Sequence, residues 1–134
     1  MIIYKEISEL LVSSDSSVLS ALRKIDENEQ QIVFVVTSTG HLDGVLTDGD
    51  FRRWLVDNHD DNTNLNKPVR DVMTKQYCFS LVDDEPDKIR SLFNQRIKFI
   101  PLLDTGGRIV AIAKRRTKSI AIGDRKIDDT SQTF

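Results

Sequence analysis

Apolar residues in the first part of the chain follow a strand-like and then a helical pattern. The segment Ile2–Val12 carries clustered apolar residues without one clear period, and it predicts a short lead-in and a first strand. A serine-rich segment with helix-capping side chains comes next, after which Val18, Leu22 and Ile25 recur at helical spacing. This pattern predicts an amphipathic helix that ends in the polar segment 27–31.

Two strands and a second helix follow this helix. Ile32–Val36 is a continuous β-branched and aromatic run, which is typical of a strand buried on both faces. Gly40 marks a short turn, so the next apolar run, Leu42–Leu46, is predicted to pair antiparallel with the first. A helix is then predicted from about Phe51 to Val56, and the polar segment 57–64 is interpreted as a connector.

The same order of elements appears a second time. A single offset, which places Gly107 on Gly40, aligns the two halves without a gap. It pairs apolar residues with apolar residues: Leu22 with Ile89, Ile25 with Leu92, Ile32 with Phe99, Val33 with Ile100, Val35 with Leu102, Val36 with Leu103, Leu42 with Ile109, Val45 with Ile112 and Leu55 with Ile122. These matches indicate an internal repeat. We predict an α/β (α+β) fold of two β-α-β-β-α repeats about a pseudo-two-fold axis, with residues 1–66 in repeat 1 and residues 67–134, including a C-terminal tail, in repeat 2.

The turn after the second strand carries the most distinctive polar residues. Thr47, Asp48 and Asp50 place a hydroxyl and two carboxylates before a helix N-terminus, whose unpaired backbone N–H groups favour anions. Asp50 can act as the N-cap of that helix, or it can accept hydrogen bonds from ligand hydroxyls such as those of a ribose; the two roles are compatible. Arg52 and Arg53 follow at once and can meet phosphate.

The corresponding turn of repeat 2 has a different charge. Lys114 stands in the place of Thr47, Thr117 replaces Asp50, and the segment 114–118 is strongly basic. If the two turns share a cleft, one side can hold hydroxyl groups while the other neutralises phosphate. Alternatively, the basic segment is a solvated turn that contributes only to solubility.

The composition of the chain is typical of a globular domain. The 134 residues are 39% hydrophobic and 30% charged, with a net charge of −2 that gives no general reason to bind nucleic acid or an acidic membrane surface. No apolar run approaches the roughly 20 residues that span a bilayer, and the start lacks the pattern of a secretion signal. The lone Cys78 suits a reducing compartment, so a cytoplasmic protein is expected.

Residue patterns for catalysis or metal binding are weak. The segment 60–64 faintly resembles a calcium loop, but Leu65 stands where the tight turn needs glycine. His41 and His59 have no Cys or His at ligand spacing, and Cys78 has no evident His partner. We therefore expect neither a metal site nor enzyme activity in this chain.

The repeat and several of its phrases resemble a tandem pair of cystathionine-β-synthase (CBS) domains, also called a Bateman module. The phrase 44–50 resembles a CBS ligand turn, and Lys67–Thr74 is similar to the Val-x-Asp-Val-Met-Thr segment that opens many CBS repeats. The segment Phe99–Asp104 resembles the usual apolar-Pro-Val-apolar-Asp strand. The resemblance extends from about Leu10 to about Ile122.

A narrower resemblance concerns the pairs that precede sugar-phosphate nucleotidyltransferase domains. It rests on Leu22–Asn28 and Leu46–Arg53. In such enzymes a catalytic domain with a Gly-rich nucleotide loop follows the pair, and the sequence up to Phe134 contains no such loop. A natural stand-alone module and a fragment cut at a domain boundary both remain open.

The CBS resemblance implies an adenosine nucleotide between the repeats. Thr47 and Asp50 match the family's ribose-contacting Gly-x-x-Thr-x-x-Asp phrase, and the repeat 2 site lacks this pair, so at most one intact nucleoside site per chain is expected. The candidate nucleotide-binding residues are the turn residues Thr47, Asp48 and Asp50, the base-pocket residues Tyr77, Cys78, Phe79, Ile100 and Pro101, and the phosphate candidates Arg52, Arg53 and Lys114.

Three functional hypotheses follow. The first is a non-catalytic regulatory module that binds a purine nucleotide (AMP, ADP or ATP), requires no cofactor and forms a homodimer by analogy with other CBS pairs. The second is a dimerisation scaffold that has lost ligand binding. The third is the regulatory part of a nucleotidyltransferase whose catalytic domain lies outside this sequence.

Overall fold

The framework of the protein consists of two β-sheets joined by short helices. The computed structural model describes residues 1–58 and 64–116. Its elements in chain order are β1 (Ile2–Tyr4), a 3₁₀ turn (Ser8–Leu10), β2 (Leu11–Ser13), α1 (Val18–Asn28), β3 (Ile32–Val36), β4 (Leu42–Thr47), α2 (Asp48–Asp57), a second 3₁₀ turn (Val69–Asp71), β5 (Ser80–Leu81), α3 (Pro86–Ser91), β6 (Phe99–Leu103) and β7 (Ile109–Lys114). This mixed architecture confirms the predicted fold class.

The two sheets have equivalent registers. In the first sheet, ordered β2-β3-β4, β3 and β4 pair antiparallel as predicted, with Ile32 opposite Thr47. In the second sheet, ordered β1-β7-β6-β5, Phe99 lies opposite Lys114. Each hairpin also has a register shift at the same place, between Val35 and Val36 in one and between Leu102 and Leu103 in the other. The offset that aligns the two halves of the sequence therefore also aligns the two strand pairings, including this register shift.

The N-terminal strand belongs to the second sheet. Ile3 of β1 lies opposite Ala113 of β7, in an antiparallel pairing that links the beginning of the chain to its second half. The sequence predicted only a lead-in here, because a pairing between strands so far apart along the chain leaves no local pattern.

Helix α1 shows how sequence determines a boundary and a buried face. The Ser17 hydroxyl accepts a hydrogen bond from the Ser20 N–H at 3.0 Å, which caps the helix N-terminus. Val18, Ala21 and Ile25 form its buried face, and Leu22, which was predicted together with Val18 and Ile25, is partly buried against the same cluster. The helix ends at Glu29, whose φ of 60° is in the left-handed region.

Helix α2 begins earlier than the sequence predicted. It starts at Asp48, with Thr47 as its N-cap, so the expectation that Asp50 caps a helix beginning at Phe51 is wrong. Asp50 instead occupies the third helical position, where its carboxylate reaches back to the Thr47 N–H. The polar residues that were interpreted as a turn are therefore the first turn of the helix.

The core has three parts, and the middle one joins the two sheets. A first cluster under α1 includes Val33 and Leu46, and a third under α3 includes Ile100 and Leu102. The central cluster combines residues of both halves: Ile7, Leu10, Ile32, Phe34, Val45, Leu103, Ile109 and Ile112. The two halves consequently share buried apolar surface.

The tips of the two main hairpins meet on the pseudo-two-fold axis. The Leu42 N–H donates to the Gly107 carbonyl at 3.1 Å, and the Ile109 N–H donates to the Gly40 carbonyl at 3.2 Å. The repeat offset places Gly107 on Gly40 and Ile109 on Leu42, so each of these bonds is the counterpart of the other. Both glycines have positive φ, +85° for Gly40 and +89° for Gly107, which explains why glycine occupies each tip.

No helix in the described part of the chain combines the length and the apolar character of a membrane span.

Candidate functional site

An open cleft of about 960 Å³ lies between the two halves of the molecule. Its first wall is formed by the start of α2, the beginning of β3 and the end of β4, and its second wall by the segments that precede β5 and β6. A cleft of this volume lies within the usual range of small-molecule sites, roughly 300–1,000 Å³.

A capping box forms the polar corner of the first wall. The Thr47 hydroxyl accepts from the Asp50 N–H at 3.0 Å, and the Asp50 Oδ2 accepts from the Thr47 N–H at 3.2 Å. These reciprocal bonds satisfy two backbone donors at the helix start and hold both side chains at the cleft. The arrangement places an anionic oxygen and a hydroxyl on a rigid element, where either can also meet a ligand.

The two acidic side chains of this corner are each paired with an arginine of the same helix. Arg52 pairs with Asp48 and Arg53 pairs with Asp50. Both arginine side chains are 72% exposed, so the pairs are screened by water and each contributes little to stability. An incoming phosphate can therefore compete for either guanidinium at small cost.

Tyr77 and Cys78 line the cleft on its second wall, in the segment that precedes β5. The Tyr77 hydroxyl donates to the Leu42 carbonyl at 3.3 Å, and the ring packs against the central cluster. Burial, together with the nearby Asp43 carboxylate, raises the pKa of Tyr77, so the hydroxyl remains a donor at neutral pH. Cys78 is a half-buried free thiol beside it.

The residues before β3 form an unusual loop at the cleft edge. Gln31 has a φ of 65°, in the left-handed region that is uncommon for residues other than glycine. The Asn28 side chain holds this loop: its Nδ2 donates to the Ile32 carbonyl at 3.0 Å, and its Oδ1 accepts from the Gln30 N–H at 2.8 Å. The Gln31 carbonyl in turn accepts from the Asp48 N–H at 3.3 Å. The loop and the start of α2 are thereby fixed to each other.

Comparison with known proteins gives the fold to which this architecture belongs. Residues 5–57, which include the capping box, match the family model of the CBS domain. A CBS domain protein from Streptococcus pneumoniae has a similar structure with a TM-score of 0.74; it is 14% identical, over 84% of this chain and 74% of that chain. The chain has the fold of a CBS-domain pair. No curated protein sequence matches it.

Two other CBS structures similar to this pair contain nucleotides. CBSX2, solved in complex with AMP, is 23% identical over 84% of this chain and 86% of that chain, with a TM-score of 0.66. The CbpB protein from Listeria monocytogenes, solved in complex with c-di-AMP, is 16% identical over 78% of this chain and 79% of that chain, with a TM-score of 0.68.

Most of the residues singled out in the sequence lie together in this cleft. The ones that line it are Thr47, Asp48, Asp50, Arg52, Arg53, Tyr77, Cys78 and Pro101. Phe79 does not line it: its side chain is 51% exposed, and its ring lies 6.3 Å from that of Tyr77. Ile100 is completely buried in the third core cluster; it precedes Pro101 on β6, and successive side chains of a strand point to opposite faces.

Lys114, the remaining phosphate candidate, is occupied by contacts between the repeats. Its ammonium donates to the Gln30 Oε1 at 3.0 Å and lies 5.7 Å from the centre of the Phe99 ring. Gln30 and Phe99 both line the cleft. Lys114 thus lies at the cleft edge and bridges the two halves.

Sequence reasoning missed the loops that precede the inner strands. Gln30 and Gln31 lead into β3, and the equivalent segment 95–98 leads into β6; both line the cleft. A signal was available, because the repeat offset places these two segments at equivalent positions beside the pseudo-two-fold axis. Their polar composition, however, is indistinguishable from that of ordinary loops.

The repeat 2 counterpart of the capping box is only partly visible. Lys114 occupies the place of Thr47, while Thr117, Lys118 and Ile122 lie outside the described residues, as do His59 and most of the segment 60–64. Arg115, the counterpart of Asp48, donates to the Asn94 carbonyl at 2.7 Å. Among the described residues, no group of three or more His, Cys, Asp or Glu side chains is arranged to hold a metal ion.

Proposed function

We propose that this chain is a non-catalytic regulatory module that binds an adenosine nucleotide (AMP, ADP or ATP) in the cleft between its two CBS repeats. The observation that carries the proposal is the composition of that single cleft. It brings together the Thr47 hydroxyl, the Asp50 carboxylate, apolar surface and several cationic groups. The hydroxyl and the carboxylate suit a ribose, the apolar surface suits a purine, and the cationic groups suit a phosphate.

The geometry supports a particular orientation of the nucleotide. Ribose hydroxyls can donate to Asp50, because each carboxylate oxygen has lone pairs beyond its present hydrogen bond. The apolar surface of Phe34, Val45 and Pro101 is available to the base, with Tyr77 and Cys78 beside it. The complexes of CBSX2 with AMP and of CbpB with c-di-AMP support an adenine ligand for this fold.

Regulation in this proposal acts through the relative packing of the two repeats. A ligand that contacts both walls favours the arrangement in which the walls have the spacing that fits it. It can shift that equilibrium only by its difference in affinity for the two arrangements. The hydrogen bond from Ile109 to Gly40 and its counterpart from Leu42 to Gly107 join the two repeats directly, so such a change would act on them.

A dimerisation scaffold is the second candidate function. The observation in its favour is that Thr47 and Asp50 form a capping box, so their presence is explained without a ligand. The association with a sugar-phosphate nucleotidyltransferase domain rests on the sequence phrases alone, and the homodimer rests on analogy with other CBS pairs. They are proposals of the same standing, tested by the sequence context of the gene and by the mass of the protein in solution.

Thermal unfolding with nucleotides tests the leading proposal. A ligand that binds only the folded protein stabilises it by about 2.7 kcal/mol at a hundredfold excess over its dissociation constant. AMP, ADP, ATP, S-adenosylmethionine and GTP are compared at millimolar concentration, and we expect an increase in Tm with an adenosine ligand. No increase with any of them favours the scaffold.

Variants must separate ligand binding from helix capping. Asp50→Glu retains a carboxylate at the third helical position and therefore the capping box, but it moves the ligand-facing oxygen by one methylene. We expect near-native stability and a reduced nucleotide-dependent shift. Ser17→Ala is the matched control, because it removes the cap of α1, away from the cleft. It should lower Tm both with and without nucleotide and leave the nucleotide-dependent increase in Tm unchanged.

A further inference from the structure

The charges of the cleft are distributed unequally between its two walls. The acidic side chains among its lining residues are Asp48 and Asp50, both on the first wall. Each is paired there with an arginine of α2, so the first wall is close to neutral. The second wall carries Arg96 and Lys98 and no acidic residue.

Neither of these two cations has a side-chain partner in the part of the chain that the structure describes. Within residues 1–58 and 64–116, the Arg96 guanidinium and the Lys98 ammonium make no ion pair or hydrogen bond with protein groups, whereas Arg52, Arg53 and Lys114 each have one. The chain as a whole has a net charge of −2, so a cleft wall with two cations and no acidic residue is more positive than the molecule as a whole.

The backbone that carries Arg96 and Lys98 is held on both sides. The Asn94 Oδ1 accepts from the Arg96 N–H at 2.7 Å and from the Ile97 N–H at 2.8 Å. The Lys98 carbonyl accepts from the Arg115 N–H at 2.9 Å, and the Arg115 guanidinium returns to the Asn94 carbonyl. The two cations therefore project from a fixed loop, which lowers the entropic cost of placing them on a ligand.

We propose that Arg96 and Lys98 form a subsite for the terminal phosphates of the ligand, so that the cleft prefers an adenosine di- or triphosphate to AMP or to a nucleoside without phosphate. The inference rests on the proposed function, since it names the class of nucleotide for the same cleft. The ribose lies at the nearly neutral wall beside Thr47 and Asp50, and the phosphate chain extends across the cleft. Each added phosphate then meets a cation that no acidic residue neutralises.

Calorimetric titration of the whole protein with AMP, ADP, ATP and inorganic tripolyphosphate tests this subsite. We expect affinity to rise from AMP to ATP by at least about tenfold, the size that two solvent-exposed ionic contacts supply. In the double variant Arg96→Gln/Lys98→Gln, ATP affinity should fall to near that of AMP, while AMP affinity changes by less than about threefold. The increase in affinity from AMP to ATP should also become smaller with added salt, because both cations are exposed.

A matched variant controls for the change in overall charge. Lys5→Gln/Arg23→Gln removes the same number of positive charges from residues that do not line the cleft, and it should keep the native preference for ATP. An equal loss of ATP affinity in both double variants would overturn the subsite, because bulk charge would then explain the preference.

The remaining outcomes separate this inference from the proposed function. If AMP and ATP bind the native protein equally well, and both bind more weakly to Asp50→Glu, the subsite is refuted and the nucleotide module is supported. If tripolyphosphate binds through Arg96 and Lys98 but none of the adenosine nucleotides binds, the subsite is supported and the module is refuted. Absence of binding by all four compounds would refute both.

Discussion

Thr47 and Asp50 serve the fold whether or not a ligand is present. Their reciprocal hydrogen bonds start α2, and the same bonds hold the hydroxyl and carboxylate at the cleft. A variant that simply removes either side chain therefore confuses stability with binding, since loss of a cap costs about 1 kcal/mol by itself. Replacement that preserves the cap, as in Asp50→Glu, is needed to attribute an effect to the ligand.

Gly44 is required for a different reason, the close approach of another segment. A Cβ at this position would lie 2.5 Å from the Met73 sulfur and 2.9 Å from the Thr74 carbonyl oxygen. Thr74 pairs with the adjacent Val45 in both directions, with N–H to carbonyl distances of 2.8 and 2.9 Å. The segment after the connector can thus lie against β4 only because residue 44 has no side chain.

We predict that Gly44→Ala lowers the free energy of unfolding by about 1–3 kcal/mol, because the added methyl forces Met73 and Thr74 away from β4. Urea denaturation measures the change. Gly49→Ala is the control: its Cβ would meet nothing closer than 3.6 Å, and alanine favours a helix by up to about 1 kcal/mol, so this variant should be neutral or more stable. Equal stability of Gly44→Ala and the native protein would contradict the proposed steric role.

Among the elements, those with a strong local pattern were predictable and those that depend on distant partners were not. The continuous apolar runs gave β3 and β4 nearly to the residue, and the offset carried them to β6 and β7. The pairing of β1 with β7 was missed, because it depends on the far end of the chain. The start of α2 was misplaced, because its capping box has the same composition as a turn.

The turn between β5 and α3 depends on one carboxylate. Asp84 accepts from the Ser80 hydroxyl at 2.6 Å and from the Leu81 N–H at 2.8 Å, and Lys88 lies 3.2 Å away. The Ser80 hydrogen bond, then the Leu81 hydrogen bond and Lys88, lower the pKa of Asp84. Because the folded pKa is lowered, Asp84 stabilises the fold above the unfolded carboxyl pKa, and this stabilisation is lost as pH falls through the folded pKa.

We therefore predict that Asp84→Asn reduces the loss of stability on acidification below about pH 4, where an unfolded aspartate begins to bind its proton. Unfolding by urea at a series of pH values between neutrality and acid measures this slope. Asp83→Asn is the matched control, because Asp83 is exposed and makes no side-chain hydrogen bond within the described residues. Identical slopes for native protein and Asp84→Asn would show that the turn does not depend on the charge.

At the scale of the whole molecule, the sequence predicted the symmetry better than the site. The offset anticipated the repeated registers and the two glycine tips that meet on the axis. The CBS resemblance, not the offset, grouped Thr47 and Asp50 with Tyr77 and Pro101, and all four line the cleft. The sequence could not indicate Arg96 or Lys98, because nothing in a polar loop marks which cations will lack a partner once the halves pack.

The asymmetry of the repeats determines how many ligands one chain should bind. The capping-box pair occurs in repeat 1, while in repeat 2 Lys114 takes the place of Thr47 and is held by Gln30 at 3.0 Å. The cleft itself is shared, with walls from both halves. A single nucleotide per chain is therefore expected even though the backbone is nearly symmetric.

The most direct test of the central claim is the stoichiometry of adenosine nucleotide binding, measured by isothermal titration calorimetry of the purified protein with ATP and AMP. The account predicts one bound nucleotide per chain, with an affinity reduced in Asp50→Glu and unchanged in Ser17→Ala. Two equal sites per chain, or no heat of binding at millimolar nucleotide, would contradict it.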